Sequence, residues 1–285
     1  MELTNIDELK KIGIIQQRQK DYYLIRIKSI AGDFSTQELI TISIVAKKYG
    51  DGKVHLTTRQ GVEIHNIHKE NIKKAKEELE KGGIVLGACG PRGRGIVACP
   101  GAETCKYGII CTKELAKELD SLYFRKEAPA KFKISVTGCP NNCAKANEND
   151  IGIMGGVLPK WDEKKCIDCS LCTKVCPTDA IEKKDATYIL NLEKCILCGI
   201  CINNCPVQAW EPEKKGYTLF LGGTMGKKPR LGTKAKILIQ DEIELKKFIS
   251  RAFEFYRREG RKKERFGHTL DRYGLEKALK EILDE

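Results

Sequence analysis

The first third of the chain alternates between short apolar runs and amphipathic segments. Runs rich in β-branched and aromatic residues predict four strands, at 21–30, 53–58, 61–67 and 84–87. Ser35 and Glu38 form a capping-box pattern, which predicts a helix that ends before Gly50. A second helix, rich in Lys and Glu, is predicted over 69–81. The order β-α-β-β-α-β corresponds to a split βαβ plan, which by itself indicates no chemistry.

The patterns in the rest of the chain predict a mixed α and β arrangement. A helix is predicted over 102–122, with Cys105 in its first turn. A strand is predicted over 131–139, and its Lys131 and Lys133 would point to one face because side chains alternate along a strand. Four further elements are predicted, namely strands at 217–223 and 237–242 and helices at 242–258 and from 275 onwards. We expect the strand at 217–223 to return to the main sheet.

Length and composition indicate a folded protein of one large or two smaller domains. The chain has 285 residues, of which 41% are hydrophobic and 32% charged. No apolar run approaches the length of a membrane span, and the first ten residues carry acidic side chains instead of a leader sequence. We therefore expect a cytoplasmic protein with no membrane partner.

The formal net charge of +12 favours an anionic ligand or partner. The segment 161–210 is near neutral, so the excess lies in the flanks, notably at 251–267. That basic run is either a solvated face or a surface for an anion or an acidic partner. Nucleic acid is the usual partner of such a balance, but anionic cofactors and substrates explain it as well, and we expect no nucleic acid.

Fourteen cysteines without a secretory signal indicate metal binding rather than disulfides. Eight of them form two CxxCxxCxxxCP runs, which is the bacterial two-cluster ferredoxin signature. In that signature the fourth cysteine of each run binds the other cluster. The predicted ligand sets are therefore Cys166, Cys169, Cys172 and Cys205 for one cluster, and Cys195, Cys198, Cys201 and Cys176 for the other. Structural zinc is the alternative interpretation.

Four more cysteines have the spacing Cys-x5-Cys and Cys-x3-Cys, at Cys99, Cys105, Cys139 and Cys143. We interpret them as the cradle of a buried iron–sulfur cluster coupled to a second cofactor. A zinc site of four thiolates is possible in principle, but such sites usually contain CxxC pairs. Cys89 and Cys111 are left over and are assigned to packing.

Basic residues near these cysteines are candidate anion ligands. The glycine-rich loop at 87–101 carries Arg92 and Arg94, and it lacks both GxGxxG and a Walker sequence. Arg59 lies between two predicted strands in the sequence TTRQ, and Lys131 and Lys133 share one strand face. Taken singly, each of these signals is weak.

Together these motifs resemble the sirohaem-dependent sulfite and nitrite reductase family. The family carries Cys-x5-Cys and Cys-x3-Cys around a [4Fe–4S] cluster beside sirohaem, and its last cysteine, here Cys143, bridges the two cofactors. The resemblance implies that Arg59, Arg94, Lys131 and Lys133 hold the substrate anion. It also implies cofactor contacts from Cys143, Arg92, Arg94, Thr58 and Gln60.

The resemblance implies an α+β fold in three parts. Residues 1–86 would form a ferredoxin-like half-domain, 87–160 with 211–285 the sirohaem and [4Fe–4S] domain, and 161–210 an inserted two-cluster ferredoxin domain. This organisation is most similar to the compact anaerobic and dissimilatory-like members that contain a ferredoxin unit. Because only one copy of the reductase repeat is present, a homo- or hetero-oligomer is expected.

The function implied by the resemblance is reduction of sulfite to sulfide, with sirohaem and three [4Fe–4S] clusters as cofactors. Electrons would come from another subunit or a soluble ferredoxin, since no flavin or nicotinamide motif is present. Two alternatives stay open: nitrite reduction to ammonia, and a non-catalytic electron-transfer or sirohaem-carrying protein.

Overall fold

The computed structural model describes residues 6–284. Residues 1–5, which belong to the predicted half-domain, and residue 285, which belongs to the predicted last helix, lie outside the described residues. The elements of the first unit are α1 (Ile6–Lys11), β1 (Ile14–Gln16), β2 (Tyr22–Ile27), α2 (Thr36–Tyr49), β3 (Val54–Leu56), β4 (Val62–His68), a 3-10 turn (Lys69–Asn71) and α3 (Ile72–Lys81). Its strands form an antiparallel sheet in the order β1-β2-β4-β3. Helices α2 and α3 cover one face of this sheet and bury an aliphatic core with it.

Helix α2 forms where the capping box predicts it. The Ser35 hydroxyl accepts from the backbone N–H of Glu38 at 3.2 Å, and the Glu38 carboxylate accepts from the Ser35 N–H at 2.6 Å. The predicted strand at 84–87 is wrong. That segment runs beside β2 and makes one isolated bridge, between Ile27 and Leu86, before it turns into the glycine-rich loop. The short strand β1 takes the sheet edge instead.

The second unit contains β5 (Val97–Ala98), α4 (Thr112–Tyr123), β6 (Ile134–Thr137), a 3-10 turn (Ala146–Glu148), β7 (Ile151–Trp161), β10 (Trp210–Leu221), β11 (Thr233–Ile239), α7 (Glu242–Glu259), α8 (Phe266–Tyr273) and α9 (Leu275–Leu283). Its strands form a mixed sheet in the order β11-β10-β7-β6-β5. Helices α4, α7, α8 and α9 share one hydrophobic core with this sheet. The helix predicted over 102–122 begins only at Thr112, because residues before it fold back onto the next strand's end, where the Ile109 N–H donates to Gly138 at 2.8 Å.

A small insert separates β7 from β10, which pair antiparallel along almost their whole length. The insert contains a 3-10 turn (Glu163–Lys165), α5 (Leu171–Val175), β8 (Ile181–Lys184), β9 (Thr187–Leu190) and α6 (Ile200–Asn204). Its core is formed by Ile181, Tyr188, Cys201 and Trp210. The prediction that the chain returns to the main sheet after the insert is therefore confirmed, and the returning strand is longer than predicted. No helix among residues 6–284 is long and apolar enough to cross a membrane.

Close glycine packing fixes the neighbouring strand ends. A Cβ atom on Gly155 of β7 would lie 2.4 Å from the carbonyl oxygen of Gly138, which precedes Cys139. On Gly156 the nearest atom would be the Leu197 Cβ at 3.2 Å. The first contact is with backbone that cannot move away cheaply, whereas the second is with a side chain.

We predict that Gly155→Ala lowers the free energy of unfolding by about 1–3 kcal/mol, because overpacking against backbone forces the strands apart. The measurement is urea unfolding under anaerobic conditions, with Gly156→Ala as the matched control. Equal losses in the two variants would contradict the assignment of the Gly138 contact as the tighter one.

Candidate functional site: a cationic cavity beside clustered cysteines

A cavity of about 300 Å³ lies between the first unit and the five-stranded sheet. All four residues predicted to hold an anion line it: Arg59, Arg94, Lys131 and Lys133. Thr58 lines it as well. Separate segments of the chain therefore bring positive charge to one place.

Two further cations, Arg26 and Lys28, line this wall and were not predicted from the sequence. Their spacing in RIK, at the end of β2, was the available signal, since residues two apart in a strand share a face. Both are paired with acids. The Arg26 guanidinium lies 2.6 Å from a Glu63 carboxylate oxygen, and the Lys28 ammonium lies 2.5 Å from Asp120. They add little net charge to the cavity.

Arg59 is held rigidly by neutral acceptors. It donates from Nη1 to the Asn149 side-chain oxygen at 2.8 Å and from Nη2 to the Gly95 carbonyl at 3.0 Å. Burial lowers the pKa of Arg59 to about 10, and the nearby Asp150 carboxylate opposes that change. An arginine has five N–H donors, so some of them remain for a ligand.

Arg94 is anchored in the same way, by the carbonyls of its own loop. It donates to Ala88 and, at 2.9 Å, to Gly90. Burial lowers the pKa of Arg94, and Cys89 opposes that change. Cys89 is thus more than a packing residue, because its sulfur also accepts a hydrogen bond from Arg26 at 3.2 Å.

The two lysines reach the cavity from the segment that enters β6. They flank Phe132, which points the other way into the core. Burial lowers the pKa of Lys133 to about 8, and the positive charges of Arg59, Arg265 and Lys131 add to this effect. Burial also lowers the pKa of Lys131. Lys133 can therefore exchange a proton near neutral pH.

The four predicted cations have no carboxylate within salt-bridge distance in the described part of the chain. Unneutralised charge in a half-buried cavity is costly unless an anion compensates it. Such an arrangement can bind an anion through charge-assisted hydrogen bonds.

Three predicted cofactor contacts, Gln60, Arg92 and Cys143, do not line the cavity. The Gln60 amide is occupied by the main chain of Ala98, to which it donates at 2.7 Å and from which it accepts at 3.0 Å. These two hydrogen bonds connect the first unit to β5, the strand that precedes Cys99. Arg92 is buried, and its Nε has no partner among the described residues.

The four cysteines outside the insert that were predicted to hold a cluster meet at the ends of two parallel strands. They are Cys99, Cys105, Cys139 and Cys143. β5 pairs with β6 through Ala98 and Val136, so the residues that follow each strand lie side by side. The Cys99 sulfur accepts from the Gly138 N–H at 3.0 Å. Burial raises the pKa of Cys139, and the neighbouring Cys99, Cys105 and Cys143 raise it further, so all four thiols are close enough to interact.

The insert contains two small cavities, and each is lined by one predicted ligand set. Cys166, Cys169, Cys172 and Cys205 line one, and Cys176, Cys195, Cys198 and Cys201 line the other.

Backbone amides support the cysteines of the insert as thiolates. The Ala180 N–H donates to Cys176 at 3.2 Å and the Ala209 N–H to Cys205 at 3.1 Å. Although burial opposes the change, backbone N–H groups lower the pKa of both Cys176 and Cys205. Metal binding needs thiolates, so the donor set favours it.

Within residues 6–284 no three Cys, His, Asp or Glu side chains converge tightly enough to hold a single metal ion. Thiolates of an iron–sulfur cluster each bind a different iron atom, so they surround a volume instead of a point. Four thiols are the donor set that a [4Fe–4S] cluster takes from a protein.

Of the two cavities in the insert, the one lined by Cys195 is nearer to the turn that carries Cys139 and Cys143. Cys195 also lines a larger apolar cavity of about 600 Å³, together with Pro140 and Gly155 of the main unit. Val157 of β7 donates its N–H to the Leu197 carbonyl at 2.9 Å. The Cys195 group, which consists of Cys176, Cys195, Cys198 and Cys201, therefore faces the CPNNC turn at 139–143. The other four cysteines of the insert are called the Cys166 group.

We predict that binding of sulfate weakens about tenfold as the pH rises through about 8, because Lys133 then loses its charge. Sulfate is a suitable probe, since its own charge does not change in this range. Isothermal titration of the full-length protein measures the affinity, with Lys133→Arg as the control that stays charged. If Lys133→Arg shows the same weakening, another group is responsible.

Comparison with known proteins covers nearly the whole chain. A family model described as the nitrite and sulphite reductase 4Fe-4S domain matches residues 89–285. A second, the nitrite/sulfite reductase ferredoxin-like half domain, matches residues 15–82. The fold is similar to a crystal structure of dissimilatory sulfite reductase I, with a TM-score of 0.76 at 21% identity over 92% of this chain and 69% of that one.

Two curated relatives are named sulfite reductases. A coenzyme F420-dependent sulfite reductase of Methanocaldococcus jannaschii is 37% identical over 95% of this chain and 44% of its own length. One of the subunits of the anaerobic sulfite reductase of Salmonella typhimurium is 30% identical over 60% of this chain and 57% of its own length. The chain thus spans only about half the length of these relatives. The two family models between them leave only short segments unmatched, and the chain belongs to the nitrite and sulfite reductase family.

Proposed function

We propose that the protein reduces sulfite to sulfide with sirohaem as the substrate-binding cofactor. The observation that carries this proposal is the set of four cations, Arg59, Arg94, Lys131 and Lys133, which line one cavity without carboxylate partners. Relatives named sulfite reductases, one of them aligned over 95% of the chain, support sulfite as the anion.

The spacing of the two sites supports a large cofactor. The lysines precede β6 and Cys139 follows it, so about 13 Å of strand separates them at 3.3 Å per residue. An anion held by the lysines is therefore too far from the cysteines to contact a cluster bound there. A large cofactor bound between the lysines and the cysteines would connect them.

The residues present fit these cofactors. Cys99, Cys105, Cys139 and Cys143 would hold a [4Fe–4S] cluster, and the exposed Cys143 thiol would be shared with the sirohaem iron. Bound sirohaem supplies an iron that binds the anion and passes electrons to it. Its carboxylates require cations, which the wall of the cavity provides.

The side chains divide two tasks between them. Arg59 and Arg94 are anchored by hydrogen bonds and keep their charge, so they hold the oxygens of the anion in fixed positions. Lys133, with its pKa of about 8, holds a proton at neutral pH and can release it to an oxygen that leaves as water.

We infer that the insert is a two-cluster ferredoxin domain that supplies electrons. The Cys195 group faces the CPNNC turn, so it would pass electrons to the main cluster and the Cys166 group would receive them. The donor would be another subunit or a soluble ferredoxin. A homo- or hetero-oligomer is in keeping with the single reductase copy, and the many thiols suit a reducing, cytoplasmic location.

Nitrite reduction to ammonia is the second candidate, because the same cations would hold nitrite. A non-catalytic carrier is disfavoured, since a carrier has no use for four unpaired cations around a cavity.

We predict that Arg94→Ala and Lys133→Ala each lower sulfite reduction about 100-fold or more, because each removes a charge that stabilises the reacting anion. The assay uses anaerobically purified protein, reduced methyl viologen, and sulfite or nitrite as acceptor. Iron content should not change. The control is Arg257→Ala, an exposed arginine paired with Glu254. A sirohaem-loaded wild-type protein that reduces neither anion would overturn the proposal.

We predict that Cys198→Ser removes one cluster of the insert, measured as a lost signal in electron paramagnetic resonance and as lower iron content. Cys111→Ser is the matched control, because Cys111 is exposed and lines none of the cysteine cavities. Unchanged iron in Cys198→Ser would contradict a cluster at that cavity.

A further inference from the structure

A buried ion pair lies directly behind the cationic cavity. Arg265, at the start of α8, donates to Asp150, just before β7, at 2.6 Å. The Asp150 side chain is 0% exposed and that of Arg265 is 11% exposed. Arg265 belongs to the basic run at 251–267, whose role the sequence left open, and it turns inward while Arg257 and Arg258 stay at the surface.

The same pair holds the main chain of Lys133. The Asp150 oxygen that accepts from Arg265 also accepts from the Lys133 N–H, at 2.9 Å. The next residue, Ile151, donates its N–H to the Lys133 carbonyl at 3.0 Å. Lys133 is thus fixed at both its N–H and its carbonyl by the segment 150–151.

The pair is not fully satisfied within the described residues. The second oxygen of Asp150 and the Nε of Arg265 are both buried and have no hydrogen-bond partner. Buried charges with missing partners cost stability, and a well-packed apolar pair would be cheaper. Its contact with the main chain of Lys133 points to a role in the site.

We propose that Asp150 and Arg265 are positioning residues for the anion site: the pair fixes the Lys133 backbone, and its two opposite charges balance the charge that Lys133 carries. The importance of Lys133 for activity rests on the proposed function. The geometry of the Asp150–Arg265 pair does not depend on it.

The charges that face Lys133 come from every neighbouring element. Arg59 approaches from the loop after β3, Arg94 from the glycine-rich loop, Lys131 from the same segment, Arg265 from the start of α8 and Asp150 from the position before β7. Burial has the largest effect and lowers the pKa of Lys133. The positive charges of Arg59, Arg265 and Lys131 lower it further, and Asp150 raises it. Burial raises the pKa of Asp150 itself, but two donors to one oxygen favour the ionised form.

The two members of the pair therefore have opposite effects, which a structural role alone would not produce. We predict that Asp150→Asn moves the titration midpoint of Lys133 down by about one pH unit and that Arg265→Gln moves it up by about one unit. Asn can still accept from the Lys133 N–H, so the main-chain contact is kept.

The experiment is trace labelling with acetic anhydride across pH on the full-length holoprotein, without sulfite. Acetic anhydride reacts with the uncharged amine, and mass spectrometry of the Lys133 peptide gives the midpoint. Arg258→Gln is the matched control, since it removes an exposed charge from the same basic run, and it should leave the midpoint unchanged. Arg265→Lys keeps the charge and should also leave it unchanged.

Midpoints that move in the same direction in Asp150→Asn and Arg265→Gln, or that do not move in folded protein, overturn the proposal. If Asp150→Asn does not fold, the comparison of Arg265→Gln with Arg265→Lys decides alone. Labelling needs no turnover, so a protein with the predicted midpoints and no sulfite reduction would reject the proposed function and leave this inference standing.

Discussion

Repulsion among cations in one half-buried cavity is the constraint around which this protein is arranged. Arg59, Arg94, Lys131 and Lys133 come from different segments, and bringing them together costs free energy that the fold must offset. Three devices do so: neutral acceptors fix the guanidinium groups, acids neutralise Arg26 and Lys28, and Asp150 supplies a buried negative charge behind the lysines. The charge that stays uncompensated is the charge available to a ligand.

The main sheet links this cavity to the cysteines. β6 is short and fully buried, with the lysines before it and Cys139 after it, and β5 and β7 flank it in parallel. Glycines at 138 and 155 allow β7 to approach the cysteine turn closely, and the same strand continues into the insert. The pair β6 and β7 thus supports both the cationic cavity and the cysteines.

Local signals made much of this arrangement predictable. The capping box at Ser35 and the apolar face of α7 depend on neighbours three or four residues away, and both elements formed where the sequence predicted them. The cysteine groupings of the insert followed from spacing, and the structure places each predicted set around one cavity.

The errors and omissions share a different cause. The segment before Thr112 had helical character, but the Ile109 amide pairs with Gly138, a residue close only in the folded chain. Asp150 and Arg265 are 115 residues apart in sequence, and nothing local distinguishes Arg265 from the other basic residues of its run. Contacts that depend on tertiary packing cannot be inferred from a single segment.

The two kinds of cation in the cavity differ in what they can do. An arginine fixed by two acceptors is a permanent charge in a permanent place, which suits binding, whereas a lysine can give up its proton. Burial together with Arg59 and Arg265 brings the pKa of Lys133 down to about 8, and Asp150 prevents a further fall. Without that carboxylate, a midpoint about one unit lower would leave Lys133 only about half charged at neutral pH. The buried Asp150 carboxylate therefore allows Lys133 to keep its charge among neighbouring cations and still to exchange a proton.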